Sequence, residues 1–328
     1  MVLGLLLAIL TGLSWVVTGA VVGLVERHGR PTGQLLAVRS ICLLCASILL
    51  LAVGRVARPE AALFKLCLAW RPTLLMAAWG ALSYVMAVFM GRAMARGPNG
   101  AAWTIVQSGF VFPFAMGIAL GNTAATPTRL AGLALVLFGV VFGGMAKGYK
   151  ATDNSSSVIR CSSLRGASIS PRRTWLLPAL LGFVFCGANQ CAVNLVSFLP
   201  PDARPAQPER IAWGALGMLV AAILHGLLSC RSSRENGAKQ SRAPLSFLVK
   251  VAGAEAVVWL FAGLFLLYNA LDRLQAVGLA AIASPVMVAS CLAGFLVYGA
   301  IALRERPNRY QTLGIICSLG GIALLATS

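Results

Sequence analysis

The sequence GPNGAAWTIVQSGFVFPFAMG, residues 97–117, has the length of a membrane-spanning helix, but it carries polar side chains and a proline among its apolar residues. Trp103, Gln107, Ser108 and Pro113 all fall within the run. Polar groups at membrane depth are costly, and they tend to face a bundle interior or a wet cavity. The stretch therefore predicts a helix that lines such a cavity.

The composition of the whole chain is that of a membrane protein. Hydrophobic residues make up 59% of the chain and charged residues 11%, with a mean hydropathy of +0.83, far from a soluble globular mix. Crossing about 30 Å of hydrocarbon takes roughly 20 apolar residues. Such runs occur at 2–25, 34–53, 72–92, 98–120, 128–146, 174–199, 210–230, 245–270, 274–302 and 309–327. We expect an all-α integral membrane protein with ten transmembrane helices.

The chain divides into two halves of five predicted spans each. The long segment between them, 147–173, is polar and Ser-rich, so we expect a first repeat over 1–150, a linker over 151–173 and a second repeat over 174–328. Because five is odd, the second half enters the membrane in the opposite sense, which gives an inverted repeat. Glycine landmarks recur in order between the halves: Gly12 with Gly182, Gly100 with Gly278, Gly121 with Gly299, Gly132 with Gly314, and Gly139 with Gly321.

The basic residues predict orientation rather than nucleic-acid binding, although the net charge is +18. They are spread over loops between spans instead of clustering on one soluble face. Loops after odd-numbered spans carry more Lys and Arg than loops after even-numbered spans, so the odd loops should be cytoplasmic and both termini outside. The loop between the second and third spans, with Arg55, Arg58, Lys65 and Arg71, opposes this orientation.

Two stretches resemble the ten-helix drug/metabolite transporter superfamily: GPNGAAWTIVQSGFVFPFAMGIALGNTAATPTRLAGLALVLFGVV from residue 97, and GLAAIASPVMVASCLAGFLVYGAIALRERPNRYQTLGIICSLGGIALLA from residue 278. In that family, a helix ending in a Leu-Gly-Glu-like turn is followed by a Gly-rich final helix. Glu305 is similar to the acid of that turn, whereas Asn122 departs from it in the first half. The resemblance implies a transporter with two inverted five-helix repeats.

Within the superfamily, the chain is most similar to the glucose, ribose and rhamnose uptake branch. LGFVFCGANQCAVNLVSF from residue 181, followed by the Pro-rich PPDARPAQPER, resembles the sixth helix and next external loop of that branch. The resemblance implies sugar uptake, in a multi-pass protein of the bacterial inner membrane, and we expect the uptake to occur by proton symport for the reason given below for Glu255. Export of amino acids or other metabolites is the alternative. We expect a small-molecule solute, a proton and the lipid bilayer as partners, with a homodimer left open, and no cofactor, metal or nucleic acid.

Polar and aromatic stripes at helical spacing predict the substrate site. Amides can pair with sugar hydroxyls while rings stack on the apolar sugar face. We expect substrate contacts from Trp15, Thr18, Tyr84, Asn99, Trp103, Gln107, Gln190, Asn194, Trp259 and Asn269. Pro113 and Pro285 each free a backbone carbonyl at matching places in the two halves, and paired interrupted helices point to a midplane site. The alternative is that these prolines and amides serve helix packing alone.

Glu255 is the most informative single residue. It lies about 15 Å from the predicted start of the eighth span, near the bilayer midplane. A carboxylate there costs about 2.5 to 3.5 kcal/mol, so a partner or neutralisation is expected. Because burial favours the neutral form, we expect Glu255 to carry the coupling proton and to face the cavity, with a structural hydrogen bond as the alternative. We expect Arg39 to extend to the cytoplasmic surface and His225 to lie at the membrane interface.

The residue inventory argues against an enzyme. Membrane-embedded catalysis needs grouped acids, histidines or a nucleophile with its base. The chain has nine acidic residues and two histidines, and it contains no HExxH, GxSxG or GxxxxGK[ST] motif. We therefore expect a carrier rather than an enzyme, with a channel or a structural membrane protein as further alternatives.

Overall fold

The computed structural model describes residues 2–28, 30–57, 70–97, 99–120, 126–144, 174–197, 199, 203–233, 244–276, 280–301 and 309–327. These residues form helices and short turns, and no strand occurs among them. The predicted linker 151–173, Asn122 and Glu305 lie outside the described residues, and so do the side chains of Asn99 and Arg55.

Helical segments of the first half begin with α1 (Val2–Arg27), α2 (Thr32–Ala57) and α3 (Trp70–Met94). The next segment, α4, consists of Asn99–Gln107, a 3-10 turn at Ser108–Phe110, and Val111–Ala119, without a break between them. The α5 helix is Pro127–Gly144. The 3-10 turn comes just before Pro113, which cannot donate a backbone hydrogen bond, so the helix tightens where the sequence predicts an interruption.

The second half begins with α6 (Leu176–Ser197) and α7 (Gln207–Ser233). The α8 segment consists of Leu245–Phe261, a π turn at Ala262–Leu267, and Tyr268–Gln275. It is followed by α9 (Ala280–Ile301) and α10 (Arg309–Thr327). Pro285 lies inside α9, which stays helical throughout, so the prediction that α4 and α9 are both interrupted is wrong for α9. The second non-α turn lies in α8 instead.

Seven helices of the described residues are long and apolar enough to cross a membrane, as in a multi-pass membrane protein. They are Val2–Glu26, Thr32–Gly54, Trp70–Met94, Ala101–Ala119, Leu176–Val196, Gln207–Leu228 and Leu245–Gln275. Within α5, α9 and α10 the apolar stretches are shorter. Large apolar side chains cover the outside of the bundle. Leu228, for example, is 70% exposed and Val257 is 68% exposed. The membrane class predicted from composition is therefore confirmed, while the count of ten spans stays a prediction.

Helices from the two halves approach closely where glycines face them. The α3 helix packs on α6 and α7, α1 packs on α9, and α5 packs on α10. A Cβ placed on Gly80 of α3 would lie 1.8 Å from the carbonyl oxygen of Gly214 in α7, and one on Gly12 would lie 2.0 Å from that of Met287 in α9. Any larger side chain would push these backbones apart. The buried core is formed by side chains of α1 to α4 and α6 to α9, with Val136 from α5.

Candidate functional site

A narrow cavity lies at the centre of the bundle, and six helices contribute side chains to it: α1, α2, α3, α4, α6 and α8. We call it the central cavity. Its volume, counted as the space available to the centre of a water molecule, is about 50 Å³. One water needs roughly 10–15 Å³ by that measure, so a few waters fit. The lining residues are Trp15, Thr18, Arg39, Trp79, Ser83, Met86, Ala87, Met90, Trp103, Gln107, Cys186, Asn189, Gln190, Val193, Trp259 and Leu267.

Four indole rings form much of the wall: Trp15, Trp79, Trp103 and Trp259. The rings of Trp79 and Trp259 lie 6.4 Å apart, centroid to centroid, at an angle of 52°. Trp103 is 1% exposed and stacks on Phe295 of α9 at 5.0 Å. A Cβ on Gly19 of α1 would lie 2.8 Å from the Trp103 ring, so glycine is needed there for the indole to fit. Such rings offer flat apolar faces to a ligand.

Amide groups supply the polar part of the wall. Gln107, at the end of the first part of α4, is 4% exposed, and its Oε1 has no hydrogen-bond partner among the residues that the structure describes. Asn189 of α6 donates from Nδ2 to the carbonyl oxygen of Trp79 at 2.8 Å and to the hydroxyl of Ser83. Buried polar atoms without a partner are rare in folded proteins. The unpaired acceptor of Gln107 therefore suits a donor group of water or of a ligand.

A buried ion pair joins α2 to α8 beside the cavity. Nη1 of Arg39 donates to Oε1 of Glu255 at 2.6 Å, and the two side chains are 2% and 0% exposed. The Arg39 guanidinium also lies 5.0 Å from the ring centre of Trp259, and its Nη2 contacts the sulfur of Met218 at 3.2 Å. Arg39 lines the cavity, whereas Glu255 lies behind it.

The ion pair corrects the expectation for Arg39. The sequence predicts that this side chain reaches the cytoplasmic surface, but it is buried and bound to Glu255. Arg39 lies seven residues after the first residue of α2, about 10 Å along the helix. At that depth an opposite charge on a neighbouring helix favours an inward side chain, because the pair neutralises both ions. The partner that the sequence predicts for Glu255 is therefore this arginine.

Glu255 lies on the face of α8 that points into the bundle. Glu255 is 1% exposed, while Val257, two residues later, faces outward and is 68% exposed. One turn after Glu255, Trp259 donates from Nε1 to the hydroxyl of Thr18 in α1 at 2.9 Å. Thr18 is also a polar neighbour of the Glu255 carboxylate. The acid, the arginine, the indole and the hydroxyl thus form one connected group.

A wider recess opens between the start of α7 and the end of α8, with a volume of about 620 Å³ by the same measure. We call it the α7–α8 recess, and Arg204, Arg210, Gln207, Asp272 and Gln275 are among its lining residues. Nη1 of Arg204 lies 3.3 Å from Oδ1 of Asp272, and Nη1 of Arg210 lies 3.7 Å from the same atom. Two arginines around one carboxylate leave the recess with net positive charge.

A small apolar void, which we call the neck, adjoins the central cavity. It has a volume of about 20 Å³ and shares Trp79, Trp259 and Leu267 with the cavity. Tyr268 also lines the neck, and the guanidinium of Arg210 lies 5.0 Å from the centre of the Tyr268 ring. The hydroxyl of Tyr268 is buried without a hydrogen-bond partner. The contact of Arg210 with Tyr268 therefore links a residue of the recess to a residue of the neck.

The structure brings most of the predicted site residues together. Those that line the central cavity are Trp15, Thr18, Trp103, Gln107, Gln190 and Trp259. Glu255 adjoins it through Arg39. The side chain of Asn99 lies outside the described residues.

Three predicted residues lie elsewhere. The hydroxyl of Tyr84 lies 2.6 Å from Nδ1 of His225, between α3 and α7. Nδ2 of Asn194 donates to the carbonyl of Gln190 and lies 3.4 Å from the hydroxyl of Ser284. These contacts occupy the polar atoms of Tyr84 and Asn194 within helix interfaces.

Asn269 differs from its expected position for a structural reason. The prediction that it shares a face with Glu255 and Trp259 assumes α-helical spacing along the whole segment. The π turn at Ala262–Leu267 adds about one residue to the helix, which rotates later positions by roughly 100°. The side chain of Asn269 instead donates to the carbonyl of Leu264 at 2.9 Å, within that turn. It stabilises the π turn rather than lining the cavity.

Sequence reasoning missed Trp79 and Asn189 as cavity residues. Asn189 precedes Gln190, and two consecutive amides in an apolar helix indicate a polar face that is broader than one position. Trp79 lies four residues before Ser83, so helical spacing places both on one face of α3. Either signal was available in the sequence.

Comparison with known proteins identifies a fold and no function. No family model matches the chain, and no curated protein matches it. A solved structure described only as "Crystal structure of protein" aligns over 98% of this chain and 94% of its own, with a TM-score of 0.54 and 16% identity. The likeness therefore shows that this helical arrangement occurs in a protein of distant sequence.

Proposed function

We propose that the chain is a secondary transporter that carries a small polar solute across the membrane by alternating access, coupled to protons at Glu255. The observation that carries the proposal is the central cavity, which holds indoles, amides and a buried ion pair inside a bundle with an apolar exterior. Intramembrane ionisable residues of this kind are typical of ion and substrate pathways. Neither a structural membrane protein nor a simple helix contact requires such a lining.

The packing of the helices supports an inverted repeat within this proposal. When each helix of the first half is exchanged with the helix five places later, the main contacts map onto one another. The contact of α1 with α9 corresponds to that of α6 with α4, and the contact of α2 with α8 corresponds to that of α7 with α3. The pairs α2 with α7 and α5 with α10 map onto themselves. Ten spans in two inverted five-helix halves account for this pattern.

Hydrogen bonds at the cavity follow the same exchange. Thr18 of α1 accepts from the indole of Trp259 in α8, and Asn189 of α6 donates to the carbonyl of Trp79 in α3. Trp79 and Trp259, in equivalent helices, face each other across the cavity. Transporters with inverted repeats place their substrate at the interface of the repeats, and motion of one half against the other exposes the site alternately.

In this proposal the solute reaches the central cavity from the α7–α8 recess, by way of the neck. With the orientation proposed from the loop charges, the α7–α8 recess opens to the outside, and the neck behind Tyr268 leads to the central cavity. The cavity is too small for a monosaccharide in this conformation, since only a few waters fit. Substrate binding therefore requires the neck or the opposite side to open, which is the step that alternating access supplies.

The solute class follows from the lining and from the sequence resemblance. Amides and indoles suit a hydroxylated solute with an apolar face, and we assign the chain to the drug/metabolite transporter superfamily, with the sugar-uptake branch as its closest functional model. Sugars and their derivatives are the first solutes to test. Amino acids and other metabolites, as carried by exporters of that superfamily, form the second group.

Transport in proteoliposomes tests the proposal. The purified chain is reconstituted, a pH gradient is imposed, and influx of radiolabelled sugars, amino acids and carboxylates is measured. We expect saturable flux of one class and net uptake that depends on the gradient. Glu255→Gln should abolish gradient-driven uptake while solute exchange continues, because exchange needs no proton release.

Glu26→Gln is the matched control. Its carboxylate accepts hydrogen bonds from Thr32 at the opposite end of the bundle from the α7–α8 recess, and it does not line the central cavity. Uptake by this variant should equal that of the unmodified chain. Gradient-driven uptake that survives Glu255→Gln rules out the proton-coupling role, and flux that never saturates indicates a channel.

A further inference from the structure

The guanidinium of Arg39 has more donors than acceptors around it. A guanidinium is always charged and offers five N–H donors. Its Nη1 binds Glu255, and its Nη2 faces the sulfur of Met218, which is a weak acceptor. Within the described part of the chain, its Nε has no hydrogen-bond partner. The edge formed by Nε and Nη2 therefore carries no oxygen acceptor. Since Arg39 lines the central cavity, a ligand there can reach this guanidinium.

The charges that face Glu255 are few. From α2 comes Arg39, which is the charged group in contact with Glu255 among the described residues. From α1 comes the uncharged hydroxyl of Thr18. On the α3 and α7 sides, the neighbours of the pair are Trp79, through Trp259, and Met218, neither of which titrates. Oε2 of Glu255 has no hydrogen-bond partner of normal geometry.

Charge balance then limits which solute can be coupled to a proton at this site. The pair is neutral as a whole when both groups are ionised. If Glu255 takes up a proton alone, Arg39 is left as an uncompensated cation in a buried site, which is strongly unfavourable. A neutral solute cannot supply the missing negative charge. A solute with one carboxylate can, because it forms the same charge-assisted hydrogen bonds with the guanidinium.

We propose that the solute of the central cavity is a small hydroxylated monocarboxylate, whose carboxylate replaces Glu255 on Arg39 while Glu255 takes up one proton. The inference rests on the proposed function, since it assumes that Glu255 is the coupling group. The proton comes from the solution that the cavity faces and returns to solution on the opposite side. One anion and one proton move together, so transport carries no net charge.

The remaining groups define the rest of the solute. The unpartnered Oε1 of Gln107 accepts a hydrogen bond, and a hydroxyl of the solute supplies it. The indoles of Trp79, Trp103 and Trp259 face the carbon chain. An acid that bears hydroxyls meets both requirements, and the class extends from small hydroxy acids to sugar acids. The carboxylate is therefore a specificity element added to the polyol chemistry of the amides and rings.

Two matched pairs of solutes test the inference in proteoliposomes. Gluconate is compared with sorbitol, and lactate with 1,2-propanediol, because each pair differs in its carboxylate group. We expect at least one acid to be taken up about tenfold faster than its neutral partner, as one charge-assisted contact would give. Uptake should follow the pH gradient, stay unchanged when the membrane potential is clamped to zero, and bring in one proton per anion.

Variants of the pair provide a second readout. Glu255→Gln imitates the protonated acid and leaves Arg39 free, so the acid should bind with an affinity that no longer changes with pH. The double variant Arg39→Gln with Glu255→Gln keeps a neutral hydrogen-bonding pair in place of the ions, and it should lose preference for the acid. Quenching of tryptophan fluorescence in the solubilised protein measures the affinity of each variant for the acid and for its neutral partner at several pH values. Glu26→Gln is the control.

The failure of the inference and the failure of the proposed function give different results. If a neutral sugar or an amino acid is carried and neither acid is, the transport function stands and the carboxylate inference is overturned. Acid uptake without proton uptake overturns the exchange of partners at Arg39. If sugars, amino acids and carboxylates all lack saturable flux, the proposed function is wrong and the inference fails with it.

Discussion

Two ion-pair clusters on α8 differ in their surroundings although they use the same chemistry. In the middle of the helix, Glu255 binds Arg39 at 2.6 Å, and both side chains are buried. At its end, Asp272 lies 3.3 Å from Arg204 and 3.7 Å from Arg210, and the Asp272 side chain is 35% exposed. In the first cluster each ion has a single partner, and both side chains are almost fully buried. The second has two partners and access to water.

The difference in burial indicates which charged groups can take part in function and which ones hold neighbouring segments in place. Ion pairs near water contribute about 0–1 kcal/mol, because solvent replaces the lost partner. In a buried pair each charge stabilises the other. Neutralising one charge is therefore unfavourable unless the other is neutralised as well or a ligand supplies the missing charge. The inner pair therefore suits the coupling role proposed above, and in the outer cluster Arg204 binds both the carbonyl of Leu199 and Asp272 near the end of α8.

The largest expected effect comes from Arg39→Ala. The change leaves Glu255 buried without its counter-charge, which costs about 3–5 kcal/mol of stability. We expect a clearly lower thermal unfolding midpoint in detergent and loss of uptake. Arg204→Ala is the matched control at the outer cluster, with a smaller expected loss of about 1–2 kcal/mol, because Asp272 keeps Arg210 while the hydrogen bond to Leu199 is lost. Equal losses in the two variants would contradict the contrast between the clusters.

Replacing the whole inner pair separates stability from function. In Arg39→Met with Glu255→Leu, neither charge of the inner pair remains, and such replacements are often neutral or stabilising by about 1–4 kcal/mol. We expect an unfolding midpoint equal to or above that of the unmodified chain, together with no proton-coupled uptake. A double variant that unfolds as readily as Arg39→Ala would show that the pair is required for the fold itself.

A smaller effect is expected from Trp259→Phe. Phenylalanine keeps an aromatic ring near Arg39 but loses the N–H that donates to Thr18 at 2.9 Å. Losing one hydrogen bond and weakening the cation–π contact costs about 1–2 kcal/mol. We therefore expect the affinity for the solute, and with it the rate of uptake, to fall several-fold. Trp70→Phe is the control, since Trp70 is 63% exposed and outside the cavity. Identical uptake kinetics in the two variants would exclude a substrate role for Trp259.

The smallest effect is expected from Asp272→Asn. The side chain is partly exposed, so the change should lower stability by about 1 kcal/mol or less, and added salt should shrink the difference further. Unfolding midpoints at low and high salt measure it. A large drop in the unfolding midpoint that salt does not change would contradict this expectation, because it would mean that Asp272 behaves like the buried carboxylate of Glu255.

The sequence predicted the helical membrane class and the inward orientation of several polar groups, because both follow from hydropathy and helical spacing. Gln107, Gln190 and Trp259 lie on inner faces for that reason. It could not predict that α2 and α8 bring Arg39 to Glu255, since that contact joins residues 216 positions apart. Which helices are neighbours depends on packing, and single-sequence periodicity carries no information about it.

The position of Asn269 shows a second limit. A helical wheel assumes one spacing along the whole helix, and the π turn at Ala262–Leu267 breaks that assumption. The polar residues Tyr84 and His225 were predicted separately, yet they bind one another between α3 and α7. Spacing shows which residues share a face, but it does not show whether that face meets a cavity or another helix.

The π turn in α8 also divides the helix mechanically. An α-helix transmits rotation along its axis as a stiff rod, whereas a wide turn can change its register by one residue at small cost to the hydrogen bonds on either side. Glu255 and Trp259 belong to the segment before this joint, and Tyr268 and Asp272 to the segment after it. The end of α8 at the recess and the segment that carries the buried carboxylate are therefore two helical segments with different registers, joined at the π turn.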